Sequence, residues 1–128
     1  MSLEALADVC QDTAFRFKRR LLGRQRVRRA RVYGVGMAKS GTHSLCAMFS
    51  KNVRAGHEVR SLELIDKILD RHNGRISETE MTAWLLARDY ELALEVNSAA
   101  QNFWVMDILL REFPDARFVL TIRDCYSW

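Results

Sequence analysis

The sequence predicts an α/β fold, a parallel sheet flanked by helices, and three observations predict it. Short apolar runs bounded by glycine or proline alternate with helical segments, Ser-x-x-Glu/Gln capping boxes open helices between those runs, and the first run passes directly into a glycine-containing loop and a helix. In chain order, a helix from about Leu3, capped by Ser2, runs into a basic segment interrupted at Gly23. Val32-Tyr33-Gly34-Val35-Gly36 reads as a buried strand, and residues 42–50 as a helix with Leu45, Met48 and Phe49 on one face. Ser61 is placed to cap a helix carrying Leu62, Ile65, Ile68 and Leu69, which Asn73-Gly74 stops in the left-handed conformation. Ser77 with Glu80 forms a capping box ahead of Met81, Trp84 and Leu85. Leu92-Ala93-Leu94-Glu95-Val96 reads as a strand, and Ser98 with Gln101 as a second box opening a helix over about 99–113. Pro114-Asp115 turns the chain into a last strand over 118–122. Strand, helix, strand in this order implies parallel pairing with right-handed crossovers, and ligands in such sheets bind beyond the carboxyl ends of the strands.

Size and composition narrow the function classes. At 128 residues and 48% hydrophobic content there is material for one core. No run approaches the length of a bilayer span, and Glu4 and Asp8 stand where a secretion signal needs a basic start, so a cytoplasmic protein is the expectation. Cys10, Cys46 and Cys125 are odd in number and far apart, which suits reduced thiols. The organisation expected is an amino-terminal helix and basic segment over 1–30, followed by a binding domain over 31–128. Residues 16–31 hold nine basic residues and no acid, although the whole chain is only +4. Such a block suits a polyanion or an anionic membrane surface, and equally a solvated arm whose Phe15, Phe17, Leu21 and Leu22 dock while the charges stay wet.

The chemistry shows at the end of the first strand. Gly36-Met37-Ala38-Lys39-Ser40-Gly41-Thr42-His43-Ser44 is a phosphate loop in physical terms: glycines let backbone approach a ligand, helix-start N–H groups face an anion, and Ser40, Thr42 and Ser44 add hydroxyl donors. An ordinary nucleotide triphosphatase is disfavoured, because the lysine precedes the second glycine rather than following it. His43, Cys46 and His57 lack the paired spacing of a structural zinc site, and no zinc is expected there. His72 reads as a solvent-facing helix-end residue.

Lys39-Ser40-Gly41-Thr42 after an apolar strand resembles the 5'-phosphosulfate loop of the sulfotransferases that use 3'-phosphoadenosine 5'-phosphosulfate (PAPS). Residues 113–124, Phe-Pro-Asp-Ala-Arg-Phe-Val-Leu-Thr-Ile-Arg-Asp, are similar to the family's strand that ends in an arginine for the 3'-phosphate. The resemblance covers residues 31–128 and implies a P-loop-like sulfotransferase fold, incomplete at the carboxyl end, and a transfer that needs no metal. It implies that Lys39 meets the oxygen bridging phosphate and sulfur, that Ser40, Gly41, Thr42, His43 and Ser44 hold the 5'-phosphate, and that Arg123 holds the 3'-phosphate. His43 stands where the family usually has a second hydroxyl residue. The acceptor, a hydroxyl or amine on a small molecule, glycan or lipid, needs a general base, for which the resemblance offers Glu58 or His57, with Glu95 a third candidate. The family's later serine for the 3'-phosphate would lie past Trp128, and Ser127 is too close to Arg123 to replace it. A fragment or a truncated form is therefore expected, with an open sheet edge suited to self-association. The alternatives are a noncatalytic phosphonucleotide-binding remnant, a polyanion-binding module, or a nucleotide kinase.

Overall fold

The computed structural model describes residues 28–124 and 126. The expected helix from Leu3, the basic block up to Val27, Cys10, Cys125 and Ser127 lie outside the described residues. Four strands form one all-parallel sheet: β1 (Val32–Gly36), β2 (Ala55–His57), β3 (Val96–Ser98) and β4 (Arg117–Thr121), in the order β2-β3-β1-β4. Helix α1 (Thr42–Phe49) follows β1, α2 (Ser61–His72) and α3 (Glu78–Leu92) follow β2, and a 3-10 stretch (Ala100–Val105) running into α4 (Met106–Glu112) joins β3 to β4. The fold is α/β, a four-stranded parallel sheet flanked by helices.

Side chains alternate across a strand, so Tyr33 and Gly34 face opposite ways. Tyr33 enters the core with Leu64, Met81, Leu85, Val105 and Ile108, and stacks on Phe113 and Phe118 at 6.2 and 5.6 Å between ring centroids. The opposite face at Gly34 receives α1 through Leu45. Met48, expected on the same buried stripe, is 72% exposed, because α1 meets the sheet chiefly through its first turns. Arg71 on α2 bonds Glu78 of α3 at 2.9 Å and Asp107 of α4 at 2.6 Å, pinning three helices together.

The capping box at Ser77 forms as expected, with Glu80 N donating to Ser77 Oγ (3.1 Å) and Ser77 N to Glu80 Oε2 (2.7 Å). Gly74 takes the left-handed conformation (φ 69°) that ends α2. Other boundaries differ. Arg60, in the left-handed region, is the N-cap of α2, and Ser61 is its first residue, since the chain leaves β2 through left-handed turns at Glu58 and Arg60. The three-residue β2 is too short to have shown a period. Strand β3 starts only at Val96, because α3 persists to Leu92 and Ala93 caps it in the left-handed conformation. The box at Ser98 and Gln101 does not form. The Ser98 hydroxyl is taken by the Thr42 carbonyl at 2.7 Å, and Asn102 Nδ2 bonds the carbonyls of Gly34 and Asn97, so the segment starts as a 3-10 coil with no side-chain cap.

The amino-terminal edge of the sheet is closed by two carboxylates. Asp89 accepts from Arg28 (2.7 Å), Arg31 (3.2 Å) and the Tyr33 hydroxyl (2.8 Å), and burial beside it pushes the Tyr33 phenol far above its ordinary value. Glu95, almost wholly buried, accepts from the backbone N–H groups of Arg29 (3.1 Å) and Arg54 (2.9 Å) and from Arg29 Nε (3.1 Å). The Arg29 side chain foremost, then these N–H groups, hold its pKa down to about 2 against their opposition from burial. Hydrogen bonds to the charged form stabilise the fold only while Glu95 is ionised. That contribution is complete above about pH 4.5 and is lost as the pH falls toward about 2. Urea unfolding of Glu95→Gln at a series of pH values is expected to show lower stability than the parent at neutral pH and a flatter decline across that acid window. An unchanged acid slope would refute the assignment.

Candidate functional site

The carboxyl ends of β1, β3 and β4 converge on the loop 36–41. Met37, Ala38 and Lys39 are exposed, and the turn closes with Ser40 N donating to the Met37 carbonyl at 3.2 Å. Lys39 itself sits at φ 65°, a strained position for a side-chain-bearing residue, and Gly41 follows at φ 111° as the N-cap of α1. No side chain caps this helix and no acidic residue occupies its first turn. By helix geometry the first N–H groups have no intrahelical acceptor, so they leave a cluster of donors at the positive end of the helix dipole. The arrangement attracts an oxyanion.

Two contacts lock this loop to the sheet. Ser98 Oγ, at the tip of β3, donates to the carbonyl of buried Thr42 at 2.7 Å. Ser40 Oγ bonds Thr121 Oγ1 at 2.9 Å, and Thr121 also reaches the Val35 carbonyl at 3.4 Å. Gly36 is required there, since a Cβ would collide with Thr121. Two residues past Thr121, the exposed Arg123 turns back over the loop, its Nη1 donating to the Lys39 carbonyl at 3.4 Å. Lys39 and Arg123 thus share one edge of the sheet, although the two lie far apart in sequence. Thr121 and Ser98 were not anticipated as supports. The only hint was that each stands in or just past a short apolar run.

His57 ends β2 on the same edge, and its ring packs edge-to-face on that of exposed His43, with 5.2 Å between centroids. Its Nδ1 is buried without a hydrogen-bond partner among the described residues. Glu58 is fixed by its backbone: its N–H donates to the Ser98 carbonyl at 3.0 Å, its carbonyl accepts from Ser61 N at 3.1 Å, and φ is 50°. Arg88, buried in α3, donates to the next carbonyl, Val59, at 2.6 Å, and burial lowers its pKa to about 10, which leaves it cationic at neutral pH. No sequence pattern marks this arginine, which reads as one polar residue of an amphipathic helix. Glu95 is corrected as a base candidate. The late start of β3 puts it at the amino-terminal edge, across the sheet from Lys39, with its carboxylate bound by Arg29 and Arg54. Ser44 lies exposed on the first turn of α1 beside His43.

A comparison with protein-family models matches residues 31–128 to the family described as sulfotransferase domain. No curated protein and no solved structure matches the chain.

The approach of α1 to β3 depends on the missing side chain at Gly34, where a Cβ would lie 2.6 Å from Ser98 Oγ and 2.8 Å from Leu45 Cδ2. Gly34→Ala is expected to cost about 1–3 kcal/mol in denaturant unfolding through overpacking. Wild-type stability in this variant would show that the loop is not held by that contact.

Proposed function

The chain belongs to the sulfotransferase-domain family, and from that membership we propose that it binds PAPS at the loop 36–44 and transfers its sulfuryl group to an acceptor hydroxyl or amine. The observation that carries this reading is the meeting of Arg123 with the Lys39 carbonyl over an uncapped helix start, which gathers two cations and free N–H donors at one edge. The donor supplies the sulfuryl group and a phosphate leaving group. The residues of this chain do the rest. Backbone N–H groups at Gly41 to Ser44 and nearby hydroxyls hold the 5'-phosphate, and the Arg123 guanidinium, which spends one donor on the Lys39 carbonyl among the described residues, takes the 3'-phosphate.

Charge grows on the leaving phosphate as its bond to sulfur breaks, so the Lys39 ammonium favours the transition state over the ground state. The left-handed backbone at Lys39 supports this role, because strain of that kind is retained where it aims a side chain. The acceptor oxygen or nitrogen forms the new bond to sulfur and gives up its proton to a base at the same edge. His57 and Glu58 are the candidates for it, with Arg88 and Ser98 fixing the backbone that carries Glu58. The donor chemistry proposed here needs no metal.

Calorimetry with 3'-phosphoadenosine 5'-phosphate, 5'-AMP and ATP tests the site as a whole. The doubly phosphorylated adenosine is expected to bind best, and Arg123→Ala to erase roughly 10- to 100-fold of that preference. Equal binding of all three, or magnesium-dependent preference for ATP, would overturn the reading. Lys39→Ala is expected to lower kcat by about 10²–10³ with a smaller change in product affinity. For the base, His57→Asn and Glu58→Gln are compared in pH–rate profiles: the variant that loses the acid limb and about 10²-fold or more in rate identifies it. Retention of the acid limb in both would exclude both residues.

A further inference from the structure

The amino-terminal edge of the sheet carries a second cationic feature, which sulfuryl transfer does not use. A pocket of about 370 Å³ opens there, lined by Arg28, Arg29, Ala30, Arg31, Asp115 and Arg117. Arg31 precedes β1 and Arg117 opens β4, so the pocket and the Lys39 loop are separated by the length of a five-residue strand, about 16 Å. An anion here is not the sulfuryl donor.

The pocket is organised from behind. Asp89 fixes Arg28 and Arg31, and Glu95 fixes Arg29, which reduces the entropy lost when those side chains grip a ligand. Arg31 also lies over the Phe113 ring at 3.9 Å. Donors are left over. Arg31 Nε is buried without a partner, and the exposed Arg117 side chain makes no hydrogen bond or ion pair among the described residues. Of the residues on the lining, Asp115 alone is acidic. Four guanidinium groups in one concavity match the oxygens of a phosphate group, which the planar fork binds bidentately.

We propose that this pocket seats the phosphate of an anionic lipid headgroup and docks the protein on a membrane surface. A bilayer is favoured over a sulfated polymer by the sequence that leads into the pocket. There, Arg16, Lys18, Arg19, Arg20, Arg24 and Arg26 are interleaved with Phe15, Phe17, Leu21 and Leu22. Cations next to large apolar side chains suit a lipid interface, where both find a partner, whereas a sulfated polymer would engage the cations alone. The inference stands independently of the reaction at the opposite edge.

The test is co-sedimentation of the full chain with vesicles of phosphatidylcholine alone, of phosphatidylcholine with phosphatidylserine, and of phosphatidylcholine with phosphatidylinositol monophosphate. Binding is expected to the two acidic compositions and to be strongest with the phosphomonoester lipid. Arg117→Glu should weaken it by about fivefold or more and Asp115→Asn should strengthen it, while Lys39→Ala leaves it unchanged. Thermal melting checks that Arg117→Glu folds, and Arg117→Gln, expected to show a smaller loss in the same direction, decides the matter if it does not. Equal binding to neutral vesicles would overturn the proposal. So would acidic-vesicle binding indifferent to the Arg117 substitutions, or retention on heparin or by inorganic phosphate without vesicle binding.

Discussion

The close approach of the first helix to the tip of β3 is the constraint on which the rest of the site depends. It exists because position 34 has no side chain, and the Ser98 hydroxyl fills that space while holding the Thr42 carbonyl. Everything at the carboxyl edge is referred to this contact. The helix start is aimed by it, the loop before the helix is pressed against β4 at Thr121, and β4 in turn delivers Arg123 above Lys39. The same β3 tip binds Glu58 through the Ser98 carbonyl, so one short strand positions both the helix start after the loop and Glu58.

The two edges of the sheet manage charge in opposite ways. At the amino-terminal edge, carboxylates are withdrawn from solvent and saturated: Glu95 and Asp89 each accept several bonds from arginines and from backbone or phenol donors. Buried charge is tolerated there because it is paired and hydrogen-bonded. At the carboxyl edge the donors are left open. An uncapped helix with no acidic residue in its first turn, a solvent-facing lysine and an exposed arginine gather positive potential there. Structural pairing at one edge and unspent donors at the other separate stability from ligand recognition. The arginine pocket is the exception, since arginines held by buried carboxylates and the exposed Arg117 meet around a single cavity.

Several elements were legible because their signals are local. The loop between β1 and α1, the box at Ser77 and Glu80, the stop at Gly74 and the strand leading to Arg123 all depend on residues within a few positions of one another. Where two local signals competed, the pattern misled. Residues 92–96 look like an apolar strand, yet Leu92 completes a helix, and the three buried residues after it are connecting chain. Ser98 and Gln101 have the spacing of a capping box, but the serine is spent across the sheet on Thr42. The misplacement of β3 carried Glu95 with it, and a shift of that strand sufficed to turn a candidate base into a structural carboxylate at the wrong edge.

The sequence by itself determined the class of the fold and the family, because glycine placement, helix caps and short apolar runs act over the range of a turn or a strand. Only the tertiary structure decided which polar groups are spent and which remain for a ligand. It brought Arg123 to Lys39, His57 to His43, Arg88 to the Val59 carbonyl and Arg117 to the three arginines before β1. The reason is physical: a hydrogen bond or ion pair depends on distance in space, and parallel strands joined by crossovers make neighbours of residues that no sequence window contains.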